Sequence, residues 1–334
     1  MKKFLRTSLK VLICFIAIIV LLMLAGFILQ KTYYRKQLEA IKPYGTMVEV
    51  EGSKIHVYQR GEGEETIVLL SGLAVELPSA DFGPLMRVLS KEYRVVVVEH
   101  FGTGFSDRTE KPRTSENYVN EMREALKQAG IQPPYILMPH SISGIYSEYY
   151  ASRYPEEIRG LILLDSTPTT QFPMDLYRGS LSILKLGKFV QDIGLFRLLI
   201  KLTADDSIIN STFSQLSEEY YSQKELEDYR KYRSFSLNST VLKQQENILN
   251  CIEEVKAFVF PKEIPVLKII AKETLEYAEI DGEKYQEDHL KRLGEHAQSV
   301  VLDGSHMIYY TQVEEIKRLT DDFVSKLKGV GQEG

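Results

Sequence analysis

Tryptophan is absent from the 334-residue chain, and cysteine nearly so. Cys14 lies inside an apolar run and Cys251 in a distant helical segment, so no disulfide framework organises the fold. Cys251 reads as a small buried hydrophobe. Acidic residues are missing from positions 1–36, where Lys2, Lys3, Arg6, Lys10, Lys31, Arg35 and Lys36 contribute +7. With −5 on the whole chain, the remainder therefore carries −12. So acidic a body argues against a nucleic-acid partner, because phosphate binding needs a basic face. His56, His289 and His296 show no metal-ligand spacing, and neither a metal nor a cofactor is implied. Internal repeats and low-complexity tracts are lacking as well. What is present, 44% apolar residues with 20 Tyr and 14 Phe, suffices for a sizeable core and excludes global disorder.

Residues 11–29, VLICFIAIIVLLMLAGFIL, form an uninterrupted apolar run. As a helix it spans about 28 Å, close to a bilayer core. No A-x-A-like cleavage site follows; the chain continues Gln30-Lys31-Thr32-Tyr33-Tyr34, with the two tyrosines placed as interfacial anchors. The expected order is a basic segment (1–10), a transmembrane anchor (11–30) and a juxtamembrane linker (31–45). Four basic side chains precede the run and three follow it, which leans towards a cytoplasmic N-terminus. The expectation is a single-pass protein of the cell membrane, with the lipid bilayer as partner and the body outside the cytoplasm.

Beyond residue 45 the pattern alternates. GTMVEVEGSKIHVYQRG predicts a hairpin turning at Glu51-Gly52-Ser53. Short apolar runs at TIVLLSG (66–72, a strand and the loop after it), RVVVVEH (94–100), PYILMP, RGLILLDSTP, PVLKIIA and AQSVVLDG predict strands, RVVVVEH being continuous and of the parallel-sheet kind. Helical spacing separates them: 80–90, 115–130 with Ser115 as N-cap, ISGIYSEYYASRYP stopped by Pro155, EKYQEDHLKRLGE, and a closing QVEEIKRLTDDFVSKL. Strands alternating with helices imply a mostly parallel, doubly wound α/β sheet. The rhythm stops near Pro168 and resumes at Pro265. This predicts one core (46–168 and 263–328) interrupted by a helical cap (169–262).

In such a sheet, ligands gather at the carboxyl ends of the strands. Gly72-Leu73, Ser141, Asp165 and His306 all fall there on the predicted elements. Ser141 lies between a strand and a helix, in Pro139-His140-Ser141-Ile142-Ser143, where taken alone it would read as a helix cap. His306 follows the last strand, in LDGSHMIYY.

On these residues the chain resembles the α/β-hydrolase fold family from about 46 to 328. The family motif is G-x-S-x-G, with nucleophile, acid and His in that chain order. Here Pro139 and Ser143 replace the two glycines, and Gly144 follows. The resemblance implies Ser141 as nucleophile and His306 as general base and acid. It also implies the backbone N–H groups of Leu73 and Ile142 as oxyanion hole. Ser71 stands where the family usually has the His of its His-Gly pair, and His140 resembles the common structural His before the nucleophile. The acid stays open. The family's usual Asp place, after the strand that follows the cap, is occupied by Thr274. Asp165, ending the strand before the cap, and Glu273, one residue off register, are the two substitutes.

The expected function is a membrane-anchored serine hydrolase acting on a small-molecule ester, with an amide as second choice. The alternative is a non-catalytic binding protein on the same scaffold. Gly102-x-Gly104 half-resembles a dinucleotide fingerprint, but Asp107 takes the third glycine's place. A dehalogenase-like activity would need a carboxylate at 141, and a Trp-lined halide pocket cannot be built without Trp.

Overall fold

The computed structural model describes residues 2–170, 174–195, 197, 221–276 and 281–330. Eight strands form one sheet: β1 Thr46–Val50, β2 Ser53–Arg60, β3 Thr66–Leu70, β4 Arg94–Glu99, β5 Tyr135–Pro139, β6 Ile158–Leu164, β7 Val266–Ala271 and β8 Ala297–Leu302. Their spatial order is β1-β2-β4-β3-β5-β6-β7-β8. The first hairpin and its junction with β4 are antiparallel; from β4 to β8 the sheet is parallel. Glu51 (φ 53°) and Gly52 (φ 80°) make a tight two-residue turn, so Ser53 already belongs to β2. β3, β5 and β7 are buried at every position, as a sheet covered on both faces requires.

The described helices are α1 Lys2–Leu29, α2 Arg35–Glu39, α3 Pro78–Asp81, α4 Gly83–Leu89, α5 Ser115–Gln128, α6 Ser143–Arg153, α7 Met174–Asp192, α8 Gln223–Arg233, α9 Ser239–Lys256, α10 Lys272–Leu275, α11 Gly282–Leu293 and α12 Val313–Val330. One face of the sheet packs on α5, α6 and α9, the other on α4, α8 and α12. The cap of α5 is Thr114, whose hydroxyl accepts the Asn117 N–H at 3.1 Å; Ser115 is the first helical residue instead. Both are good caps, and sequence pattern cannot choose between neighbours. Pro155 opens a short 3₁₀ turn beyond the end of α6.

Between β6 and β7 the described chain is helical, with α7, α8 and α9 and no strand among the described residues. Expected cap residues 171–173, 196 and 198–220 lie outside the described residues. Lys268, in the middle of β7, is fully buried. Its Nζ meets His289 Nδ1, and His289 Nε2 lies 2.6 Å from Glu148 Oε1. Burial pulls Lys268 down to about 7.

At the other end, α1 runs through a π-helical turn at Gln30–Tyr34 into α2. This stretch, Phe4–Glu39, is the one helix among the described residues long and apolar enough to cross a membrane.

Candidate functional site

Ser141 occupies the turn joining β5 to α6, at φ +54°. A non-glycine residue held there costs about 1–3 kcal/mol and needs surroundings that enforce it. The neighbouring strands do so. His140 N–H donates to the Leu70 carbonyl at 2.8 Å and Ser141 N–H to that of Leu164 at 3.2 Å, wedging the turn between β3 and β6. The Ser141 carbonyl in turn accepts the N–H groups of Gly144 and Thr167, each at 3.0 Å. Pro139 closes β5 opposite Leu70, and the His140 N–H that follows continues the bonding to β3. Ser143 uses its hydroxyl: it donates to the Ser71 carbonyl at 2.5 Å and lies 3.1 Å from the Tyr118 hydroxyl. Two glycines permit the crowding. A Cβ on Gly72 would lie 2.8 Å from His140 Nδ1, and one on Gly144 would lie 2.6 Å from the Ser166 Cβ.

Asp165 follows β6 at φ +39° and is buried. Its Oδ1 accepts the Ala271 N–H at 2.9 Å; its Oδ2 accepts the Thr274 hydroxyl at 2.6 Å and faces His306 Nδ1 at 2.6 Å. His306, in the loop after β8, turns its other nitrogen to Ser141, with Nε2 2.9 Å from Oγ. Asp165 only accepts, so Nδ1 carries the proton and Nε2 is left to accept the Ser141 hydroxyl. The chain Ser141–His306–Asp165 is thus unbroken. Of the four non-glycine residues with positive φ among the described residues, Ala74, Ser141 and Asp165 all lie here, so backbone strain is concentrated in this site.

Glu273, the alternative acid, lies apart from the His306 ring. It is exposed on α10, and its backbone N–H donates to the Gly304 carbonyl at 3.3 Å. The place beside His306 Nδ1 is filled by Asp165, while Thr274 serves that carboxylate as a donor. Leu73 and Ile142 flank Ser141 on the β3 and α6 sides. Among the described residues neither backbone N–H finds a protein acceptor. The Gly102–Gly104 loop continues into turns rather than a helix, and a Cβ on Gly104 would run into the Glu99 carboxylate. That leaves no helix N-terminus for a pyrophosphate.

The family described as the alpha/beta hydrolase fold matches residues 65–189. An uncharacterised Bacillus subtilis protein, YbdG, is 30% identical over 93% of this chain and 95% of its own. The chain belongs to the α/β-hydrolase fold family. Over a shorter stretch, 35% of this chain and 41% of the relative, it is 34% identical to the pimeloyl-[acyl-carrier protein] methyl ester esterase of Shewanella woodyi. Among solved structures, an epoxide hydrolase from Vigna radiata superposes with a TM-score of 0.64 at 22% identity, covering 84% of this chain and 97% of that one. A thermophilic esterase from Thermogutta terrifontis gives 0.59 at 17%, covering 84% and 98%. The last two likenesses concern the fold.

In this α/β hydrolase the His306 loop is held from behind. His140 Nε2–H donates to the His306 carbonyl at 2.9 Å, and burial, with His306 nearby, lowers the His140 pKa to about 3, so its ring stays neutral. Tyr309 and Tyr310, in the 3₁₀ turn after His306, both donate to the buried carboxyl of Asp81. Sequence reading sees in Ser143 only a replaced glycine and gives Thr274, Asp81 and the tyrosine pair no role. Only the doubled Tyr309-Tyr310 so close to His306 was a signal open to it.

Proposed function

We propose that this hydrolase cleaves a small-molecule carboxylic ester, with an amide as second choice, through an acyl-enzyme on Ser141. The hydrogen-bond chain from Ser141 Oγ through His306 to Asp165 carries the reading. Ser141 Oγ attacks the carbonyl carbon while its proton passes to His306 Nε2. Asp165 keeps the Nδ1 proton in place and stabilises the imidazolium. The Leu73 and Ile142 N–H groups receive the developing oxyanion, each worth about 10²–10³ in rate. Collapse breaks the carbon–oxygen bond, and the His306 Nε2 proton leaves with the alcohol. A water then gives a proton to Nε2 and adds to the acyl carbon. Its collapse releases the acid and returns the proton to Ser141 Oγ. The segment between β6 and β7 acts as a cap over the substrate, and α1 holds the enzyme in the cell membrane with its body outside the cytoplasm.

A fluorophosphonate probe tests the chemistry. The folded protein is expected to label, and Ser141→Ala to lose the label; an unlabelled folded wild type overturns the reading. Turnover of short p-nitrophenyl esters is expected to fall away in His306→Ala. Equal rates in wild type and variant would point to a binding protein on this scaffold instead.

A further inference from the structure

Outside α1 and its continuation, the large apolar side chains left exposed among the described residues are Ile183, Leu186, Phe189, Leu195, Val259 and Val301. Four of the six fall within thirteen positions, on α7 and the turn after it. Ile183, Leu186 and Phe189 are 71%, 64% and 53% exposed and recur every third residue, which puts them on one side of the helix. The opposite side is engaged with the protein: Tyr177 O–H donates to the Glu246 carbonyl, Gln191 to that of Leu237, and Gly187 faces Leu237. Soluble surfaces seldom leave such a row unpartnered.

The position of α7 says what covers it. Its end abuts α1 backbone to backbone: a Cβ on Gly26 would collide with the Ile193 carbonyl, and one on Gly194 with Gly26. Arg197 extends the contact, donating to Gln30 Oε1 at 3.0 Å with its guanidinium over the Tyr34 ring at 4.0 Å. Gly26 lies three residues, about 4.5 Å of rise, inside the end of the apolar run. Phe189 is one turn, about 6 Å, from Ile193, and its carbonyl accepts the Ile193 N–H. The row therefore starts where α1 leaves its apolar stretch. Lys185 borders it, paired with Glu246, and Asp192 near its end is paired with Lys188, so no lone carboxylate opposes an anionic surface there.

We propose that the outer face of α7 lies in the headgroup–acyl boundary of the same lipid bilayer that holds α1, with Ile183, Leu186 and Phe189 inserted. An interfacial helix seats its apolar face about 5–10 Å deep, which matches this placement. The inference rests on α1 being a membrane span, and the test separates the two.

Because the chain has no Trp, one introduced Trp reports its own surroundings. The full-length variants Phe189→Trp and Phe15→Trp are reconstituted in phosphatidylcholine–phosphatidylglycerol vesicles, with and without brominated acyl chains. Leu186→Trp serves if Phe189→Trp folds poorly. Support is a blue-shifted emission that loses most of its intensity to bromine at both sites. Quenching at position 15 but water-like, unquenched emission at 189 overturns the proposal and leaves the anchor intact. Unquenched emission at both positions overturns the anchor and the proposal together. A blue shift at 189 that grows with protein concentration and ignores bromine overturns it in favour of a second copy of this chain.

Discussion

Ser141 and Asp165 are both held in left-handed backbone, at φ +54° and +39°, and both aim their side chains at one imidazole. Their positions at strand ends made Ser141 and His306 legible from sequence, because the period of the strands fixes where the rim lies. The acid was not legible to that degree. Strand periodicity brings Asp165 and Glu273 to neighbouring strand ends; in the structure it is Asp165, held by Thr274 and Ala271, that lies beside His306 Nδ1. Accordingly, Asp165→Asn is expected to lower kcat on p-nitrophenyl esters about 10⁴-fold by presenting the wrong tautomer of His306. Glu273→Gln is expected to leave kcat unchanged; a comparable loss there would reverse the assignment. Crowding beneath the turn gives a second expectation. Gly144→Ala drives a methyl to 2.6 Å from the Ser166 Cβ, an overpacking that should cost about 1–3 kcal/mol in urea unfolding.

Among the elements, strands and long helices follow from hydrophobic period, whereas their ends do not. Thr114 rather than Ser115 caps α5, since one helical residue more or less leaves the buried stripe unchanged. The turn Ile308–Tyr310 escaped altogether, because its hold on Asp81 joins residues 228 and 229 positions apart. That tether has a pH signature. Burial raises Asp81 to about 7, against the opposing pull of Tyr309 and Tyr310. A carboxyl that binds its proton more tightly folded than unfolded stabilises fully below the unfolded value, about pH 4, and that contribution is lost as pH rises through about 7. The wild-type melting temperature should therefore carry a downward component across that window. In Asp81→Asn that component should vanish; identical pH profiles by calorimetry would refute the assignment.

At the scale of the molecule, composition separated an acidic body from a basic, apolar N-terminus, and α1 is the exposed helix that this contrast describes. Membranes washed with alkaline carbonate should retain the full chain in the pellet, and release to the supernatant would argue against a spanning helix. The helical insertion between β6 and β7 was legible only as an interruption. Its helices are amphipathic, but what they pack on depends on contacts far apart in sequence, such as Asn238 with the Gly102 carbonyl. Where the interruption falls matters more than its contents. Ser141 and Asp165 precede it and His306 follows it, while the strands bounding it, β6 and β7, pair directly. A detour that begins and ends on adjoining strands can be lengthened cheaply, since doubling a loop costs only about 0.6 kcal/mol in closure entropy. Descendants of such a gene can thus trade one insert for another, while Ser141, Asp165 and His306 keep the places they already had.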